Sequence, residues 1–177
     1  MKTLYGAAAL LCLCALTLVP GAAGAMRTDP NAFSLGFVLG EPTGFTLRSG
    51  LGDGGAIQAH VGIDHLHGND LAAMLDYTYD AYDFMRSSRS ASLFFYLGLG
   101  GQAEWFGHGH DHDRWHDHDY HGEHLGLGMR GLLGLRASFS APFDLFLELA
   151  PVALMFDVEA SSLYYDVDLA CGARFRF

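Results

Sequence analysis

Read in steps of two, the stretch from Leu163 to Phe177 separates into two sets. Leu163, Tyr165, Val167, Leu169, Cys171, Ala173, Phe175 and Phe177 share one parity, whereas Tyr164, Asp166, Asp168, Ala170, Gly172, Arg174 and Arg176 share the other. Successive side chains of a strand point to opposite sides, so an apolar set alternating with a charged or small one predicts a β-strand whose two faces meet different environments. The alternation recurs from Ala32 onward, punctuated by clusters of Gly, Pro, Asp and Ser. It predicts strands near 32–41, 44–51, 56–64, 71–80, 91–102, 126–139, 143–154 and 163–177, an all-β chain with an even strand number.

The apolar parity holds Phe33, Leu35, Phe37 and Leu39; Ile57, Ala59, Val61 and Ile63; Leu93, Phe95, Leu97 and Leu99; and Phe143, Leu145, Leu147 and Leu149. Opposite them fall Arg48, Gln58, His60, Asp64, Asp76, Thr78, Arg130, Arg136, Asp144, Glu148, Arg174 and Arg176, with many glycines. Two architectures accommodate this division. A soluble periplasmic lipocalin-like barrel turns the apolar set inward; a transmembrane barrel turns it to lipid and keeps the charges in its lumen.

Three features favour the membrane version. Several strands approach the roughly 9 to 11 residues that a tilted strand needs to cross a bilayer. With both termini at the periplasmic end, the large rings fall near strand ends: Phe33, Tyr77, Tyr79, Phe95, Phe139, Phe143, Phe175 and Phe177 below, Phe45, Trp105 and Tyr165 above, as interfacial girdles require. The mid-strand charges carry both signs, and charges held away from water must be paired. Past residue 25 no apolar run is long enough for a spanning helix, so any crossing is made by a closed barrel. Ser140–Pro142 suits a short lower turn, whereas Ala81–Ser90 is long for one.

Residues 1–25 are set apart from this pattern. Lys2 precedes an apolar run from Leu4 to Val19, followed by Pro20 and the small residues Ala23, Gly24 and Ala25, the arrangement of a cleavable secretory signal peptide. Cys12 and Cys14 lie inside the run, each preceded by Leu, which argues against a lipid-anchored terminus. The remaining domain, 26–177, has no lysine; its positive charges are nine arginines against twenty acidic residues, a net charge of −11 with His neutral. Such a chain is unsuited to nucleic acid, whose phosphates need clustered Lys and Arg. Cys171 alone survives processing, so no internal disulfide supports the fold.

The segment Phe37–Arg48, FVLGEPTGFTLR, reads as a hairpin joined through Glu41, Pro42, Thr43 and Gly44, with Pro42 setting φ at the first turn position and Gly44 relieving the exit. This hairpin resembles the first hairpin of small, eight-stranded bacterial outer-membrane β-barrel proteins of unassigned function, and the last strand, ending on Phe177, is similar to theirs. The resemblance implies a monomeric antiparallel transmembrane barrel in the bacterial outer membrane, surrounded by outer-membrane lipid and read at its C-terminal strand by the outer-membrane assembly machinery. It brings no catalytic residues with it.

Candidate chemistry concentrates in one link. Within a loop spanning 103–125, residues 108–124 read HGHDHDRWHDHDYHGEH and hold His108, His110, His112, His116, His118, His121 and His124, interleaved with Asp111, Asp113, Asp117, Asp119 and Glu123. His65 and His67 lie in the link after the third strand, near Asp64 and Asp70. Both links are extracellular in the assigned orientation. Neutral imidazole beside carboxylate suits divalent Zn²⁺, Ni²⁺ or Cu²⁺. In extended backbone H-x-H places both rings on one side, and the Asp residues can orient them. These nine histidines are therefore the predicted ligands. A solvated low-complexity loop, or a surface-interaction barrel contacting a partner through Trp115 and Tyr120, is the alternative.

Enzymatic readings find little support. Lipid hydrolysis on a barrel needs a Ser nucleophile, a His base and an orienting acid; the only strand histidine is His60, with Asp76 as its expected lumen partner and no serine on that face nearby. An omptin-like protease lacks a defined dyad. Cys171 is expected to face lipid as a small apolar residue.

Overall fold

The computed structural model describes residues 32–64, 70–85, 91–106, 124–157 and 162–177. Eight strands follow in order: β1 (Phe33–Gly40), β2 (Thr43–Gly52), β3 (Gly55–Asp64), β4 (Asp70–Asp83), β5 (Ala91–Phe106), β6 (His124–Phe139), β7 (Phe143–Asp157) and β8 (Ser162–Arg176). Each pairs antiparallel with its sequence neighbours, and β1 also pairs with β8 from Ser34↔Arg176 to Gly40↔Ala170, so the sheet closes into a barrel. Closure leaves no strand with an unpaired edge.

The two parities separate as the alternation predicts. Phe37, Leu39, Phe45, Leu75, Leu99, Met129, Val167 and Phe175 are exposed on the outside, while Arg48, Gln58, His60, Asp76, Thr78, Arg130, Arg136, Glu148 and Arg174 are buried in the lumen. Lumen glycines make room for the larger of these groups: a Cβ at Gly134 would collide with the Tyr96 ring, and one at Gly172 with the Phe146 ring.

Besides the extra residue Leu51 beside the β2–β3 turn, two bulges shift the alternation part-way along a strand. Ala81 is an extra residue of β4 between the pairs Asp80↔Tyr96 and Tyr82↔Phe95, so Tyr77 and Tyr79 before it and Tyr82 and Phe84 after it all stay on the outer face. In β7, Ala150 and Pro151 together oppose Leu132 between Gly131↔Val152 and Leu133↔Leu149. A bulge is where a strand tolerates proline, which has no N–H for the ladder.

The hairpin between β1 and β2 differs from its sequence reading. Only Glu41 and Pro42 lie between the strands, and their peptide bond is cis. Gly40, at φ 118°, takes the backbone conformation expected of the exit. The Thr43 hydroxyl closes the turn by donating to the Gly40 carbonyl at 2.9 Å. Gly44 instead serves close packing of β2 on β3, since a Cβ there would meet the Val61 carbonyl.

The long links are also shorter than predicted. Cross-strand pairs Glu104↔Gly126, Trp105↔Leu125 and Phe106↔His124 carry the β5–β6 ladder past the last clear alternation, so the expected loop of 103–125 contracts to 107–123. On β8, Cys171 lies in register with the exposed Leu39 and Leu147, on the outer face, yet its own side chain is buried by its neighbours and not open to the surroundings.

Candidate functional site

Antiparallel order places the β1–β2 turn and the links after β3, β5 and β7 at one end of the barrel, and the turns after β2 and β6, the link after β4 and the β8 terminus at the other. The first is called the upper end here. Between the two ends the lumen is filled by three groups of charged side chains.

The middle group centres on Glu148. Its Oε1 accepts hydrogen bonds from the Tyr96 hydroxyl at 2.5 Å and Gln58 Nε2 at 2.8 Å, with Arg174 Nη2 at 3.4 Å, while its Oε2 lies 3.2 Å from His60 Nε2. Arg174 also donates to Thr46 Oγ1 and Gln58 Oε1, each at 2.9 Å, and its guanidinium lies 3.8 Å over the Phe146 ring. Five strands, β2, β3, β5, β7 and β8, thus meet at one carboxylate and one guanidinium. Val38, Phe146 and Ala170 on one side and Tyr96, Leu132 and Ala150 on the other complete the packing at this level. A buried ion pair offsets its desolvation only as far as its remaining lone pairs and protons are satisfied; here Glu148 Oε1 and the Nε and Nη2 of Arg174 are engaged, whereas Glu148 Oε2, Arg174 Nη1 and His60 Nδ1 have no hydrogen-bond partner among the described residues.

Toward the upper end, Arg130 lies 3.6 Å from both Asp76 and Asp168 and donates to the Met74 sulfur. Above it Asp64, Asp70 and Glu104 are buried and face the lumen, Asp64 and Asp70 being direct register partners. Toward the lower end, Arg48 and Arg136 share Asp80 at 3.2 and 2.5 Å, and Arg176 lies 3.3 Å from Asp144.

The expected pairing of His60 with Asp76 is not formed. The β3–β4 register sets His60 opposite Met74 and Gln58 opposite Asp76. His60 therefore reaches across the lumen to Glu148, and Asp76 pairs with Arg130. The hydroxyl nearest in register to His60, that of Thr46, is engaged by Arg174.

Among the predicted ligands, His65, His67, His108, His110, His112, His116, His118 and His121 lie outside the described residues, and His124 begins β6 and so belongs to the wall, not to the loop. Among the described residues no group of three or more His, Cys, Asp or Glu is arranged to hold a metal ion. The topology does bring both His-bearing links to the upper end, on β3–β4 and β5–β6, above the buried carboxylates of Asp64, Asp70 and Glu104.

Sequence reasoning did not single out Tyr96, Phe146 or Asp80. In β5 and β7 the lumen parity holds aromatic residues beside apolar outer ones, so a hydropathy contrast does not mark them. Their register partners do, because Tyr96 faces Gly134 and Phe146 faces Gly172 across a strand pair. No protein-family model, no curated protein and no solved structure matches this chain.

Proposed function

We propose that the chain is an outer-membrane β-barrel, exported by its residues 1–25, that displays a His- and Asp-rich loop at the cell surface and captures divalent transition metal there. The observation that carries the membrane part is the inversion of the usual globular arrangement. Charged and hydrogen-bonding side chains form the interior, and large apolar side chains are exposed on every strand around the wall. Soluble monomers rarely expose a continuous apolar surface beyond a few hundred Å². In hydrocarbon the same surface is favourable, provided every backbone group is satisfied within the wall, and a closed ladder provides that. Exposed rings reinforce the reading, with Phe33, Tyr79, Tyr82, Phe84, Phe175 and Phe177 toward the lower end and Phe45 and Trp105 toward the upper.

The metal part rests on donor chemistry and topology. His65, His67, His108, His110, His112, His116, His118, His121 and His124 supply imidazoles of the type that Zn²⁺, Ni²⁺ and Cu²⁺ prefer, and all lie in or beside links that open at one end of the barrel. The result is a scaffold for capture or buffering of several exchangeable ions.

Detergent extraction followed by electrophoresis with and without heating tests the barrel: a folded outer-membrane barrel migrates differently from its boiled form. Recovery as a soluble periplasmic protein overturns the membrane reading. Calorimetric titration of the refolded protein with Zn²⁺ and Ni²⁺, beside a variant lacking residues 108–124, tests the metal. Heat equal in the two proteins removes the metal role and leaves a structural or surface-interaction barrel, with Trp115 and Tyr120 as its contact residues.

A further inference from the structure

One nitrogen of the buried His60 ring meets a hydrogen-bond donor and an acceptor at once. Gln58 Nε2 stands 2.9 Å from His60 Nε2, and Glu148 Oε2 stands 3.2 Å from the same atom. The Gln58 amide cannot turn over to relieve this, because its Oε1 accepts from Arg174 Nη2 at 2.9 Å while its Nε2 donates to Glu148 Oε1 at 2.8 Å. The second N–H of that amide is therefore the one facing the ring. A neutral ring that accepts it carries its own proton on Nδ1, which has no hydrogen-bond partner among the described residues, and leaves Glu148 Oε2 without a donor as well. A ring with a proton on Nε2 serves Glu148 Oε2 and sets N–H against N–H at Gln58. Each setting forgoes one contact. For a neutral ring the shorter contact, to Gln58, selects the Nδ1–H form; an imidazolium, with N–H groups at both positions, finds its counter-charge at Glu148 Oε2.

Charged groups face the ring from the strands around it. Glu148 of β7 and Arg174 of β8 are paired at 3.4 Å, and Tyr96 of β5 donates to Glu148. Arg130 of β6 lies 3.6 Å from both Asp76 of β4 and Asp168 of β8, and Arg48 of β2 lies 3.2 Å from Asp80 of β4. The register partners of His60, Thr46 and Met74, bring no charge, and the Phe146 ring stands 6.1 Å away. Arg174, Arg130 and Arg48 thus each have a carboxylate already, so a proton on His60 adds a cation whose acceptor, at 3.2 Å, is Glu148 Oε2.

We infer that His60 is a proton-operated switch inside the barrel: neutral, it accepts the Gln58 amide through Nε2; charged, it donates through Nε2 to Glu148 Oε2 and releases that amide. Gln58 also holds Arg174, so the exchange shifts the cross-lumen tie of β3 from the amide to the imidazolium. The switch repacks the lumen in place and is independent of metal capture by the links.

Protein refolded in nonionic micelles, with nitrogen-15 in its His and Gln side chains, is followed by imidazole and side-chain amide NMR from about pH 8.5 to about pH 4.5, the range that spans imidazole titration. The His60 ring is identified by its Overhauser contacts with the Phe146 ring. The expected result is the Nδ1–H form at the alkaline end, then protonation at both nitrogens with the Gln58 amide signals moving at the same midpoint. Gln58→Leu removes the competing donor and is expected to convert the neutral ring to the Nε2–H form. An Nε2–H ring in the alkaline wild-type protein overturns the proposal. So does a His60 ring that fails to titrate while the barrel stays folded, or a Gln58 amide that stays unmoved as His60 titrates. An Nδ1–H ring retained in folded Gln58→Leu also overturns it, and the wild-type spectra decide the matter should that variant not fold.

Discussion

The phenol ring of Tyr96 occupies the space in which a Cβ at Gly134 would stand, the two residues being direct partners across β5 and β6. Glycine at this position lets the ring lie flat against the wall and present its hydroxyl to Glu148. Gly134→Ala is therefore expected to destabilise the barrel by about 1–3 kcal/mol through overpacking. The cost should shrink in a Tyr96→Leu background, where the ring is gone. Urea unfolding in detergent, read by the loss of the fast-migrating unheated band, measures both; an equal cost in the two backgrounds contradicts the contact.

Glu148→Gln keeps the shape of the side chain and removes the charge facing Arg174, whose side chain is fully buried. Leaving a buried guanidinium without its counter-ion costs about 3–5 kcal/mol. Asp83→Asn, at a strand end where the carboxylate accepts the Met85 N–H, is expected to change stability by less than about 0.5 kcal/mol. The same urea experiment ranks the two, and similar midpoints for both variants refute the assignment of Glu148 as the centre of the lumen network.

Tyr96, Leu132, Phe146 and Arg174 are each 3 % exposed or less and stand at the middle of the lumen. An eight-stranded barrel leaves an interior just wide enough for side chains to fill. The refolded protein should therefore give no steady ion current in planar bilayers. A stable current that disappears on unfolding contradicts this.

Metal capture by the loop should weaken as the medium is acidified. Imidazole must be neutral to act as a ligand, so protonation competes with the metal ion, and binding is strong above about pH 7 and falls below about pH 6. Zn²⁺ titrations at pH 7.5 and 5.5 check the direction; equal affinity at the two pH values points to ligands other than histidine.

Strand number, closure and the inside–outside division were legible because a period of two persists wherever one face differs from the other. His60, Asp76, Arg130 and Glu148 could be assigned to the lumen from parity alone. Who pairs with whom could not, since His60 meets Glu148 only because the barrel closes and brings β3 across from β7. The bulges at Ala81 and at Ala150–Pro151 were likewise hidden: Tyr79 and Tyr82, of opposite parity, share the outer face only through the extra residue between them. The far ends of β5 and β6 were read as loop because Ala103–Phe106 and His124–Leu125 carry no clear apolar alternation, although Trp105 pairs with Leu125 and Phe106 with His124.

The wall is not of even height. β1 has 8 residues and β2 and β3 have 10, whereas β5 and β6 have 16. At about 3.3 Å per residue and a tilt near 40°, that is roughly 20 Å of axial reach on the low side against roughly 40 Å on the tall one. The tube is bevelled, and β5 and β6, which flank the span 107–123, are its longest strands. In the proposed setting a bilayer of constant thickness meets a wall of uneven height, so the hydrocarbon layer must thin beside β1–β3 or the barrel must tilt to match it.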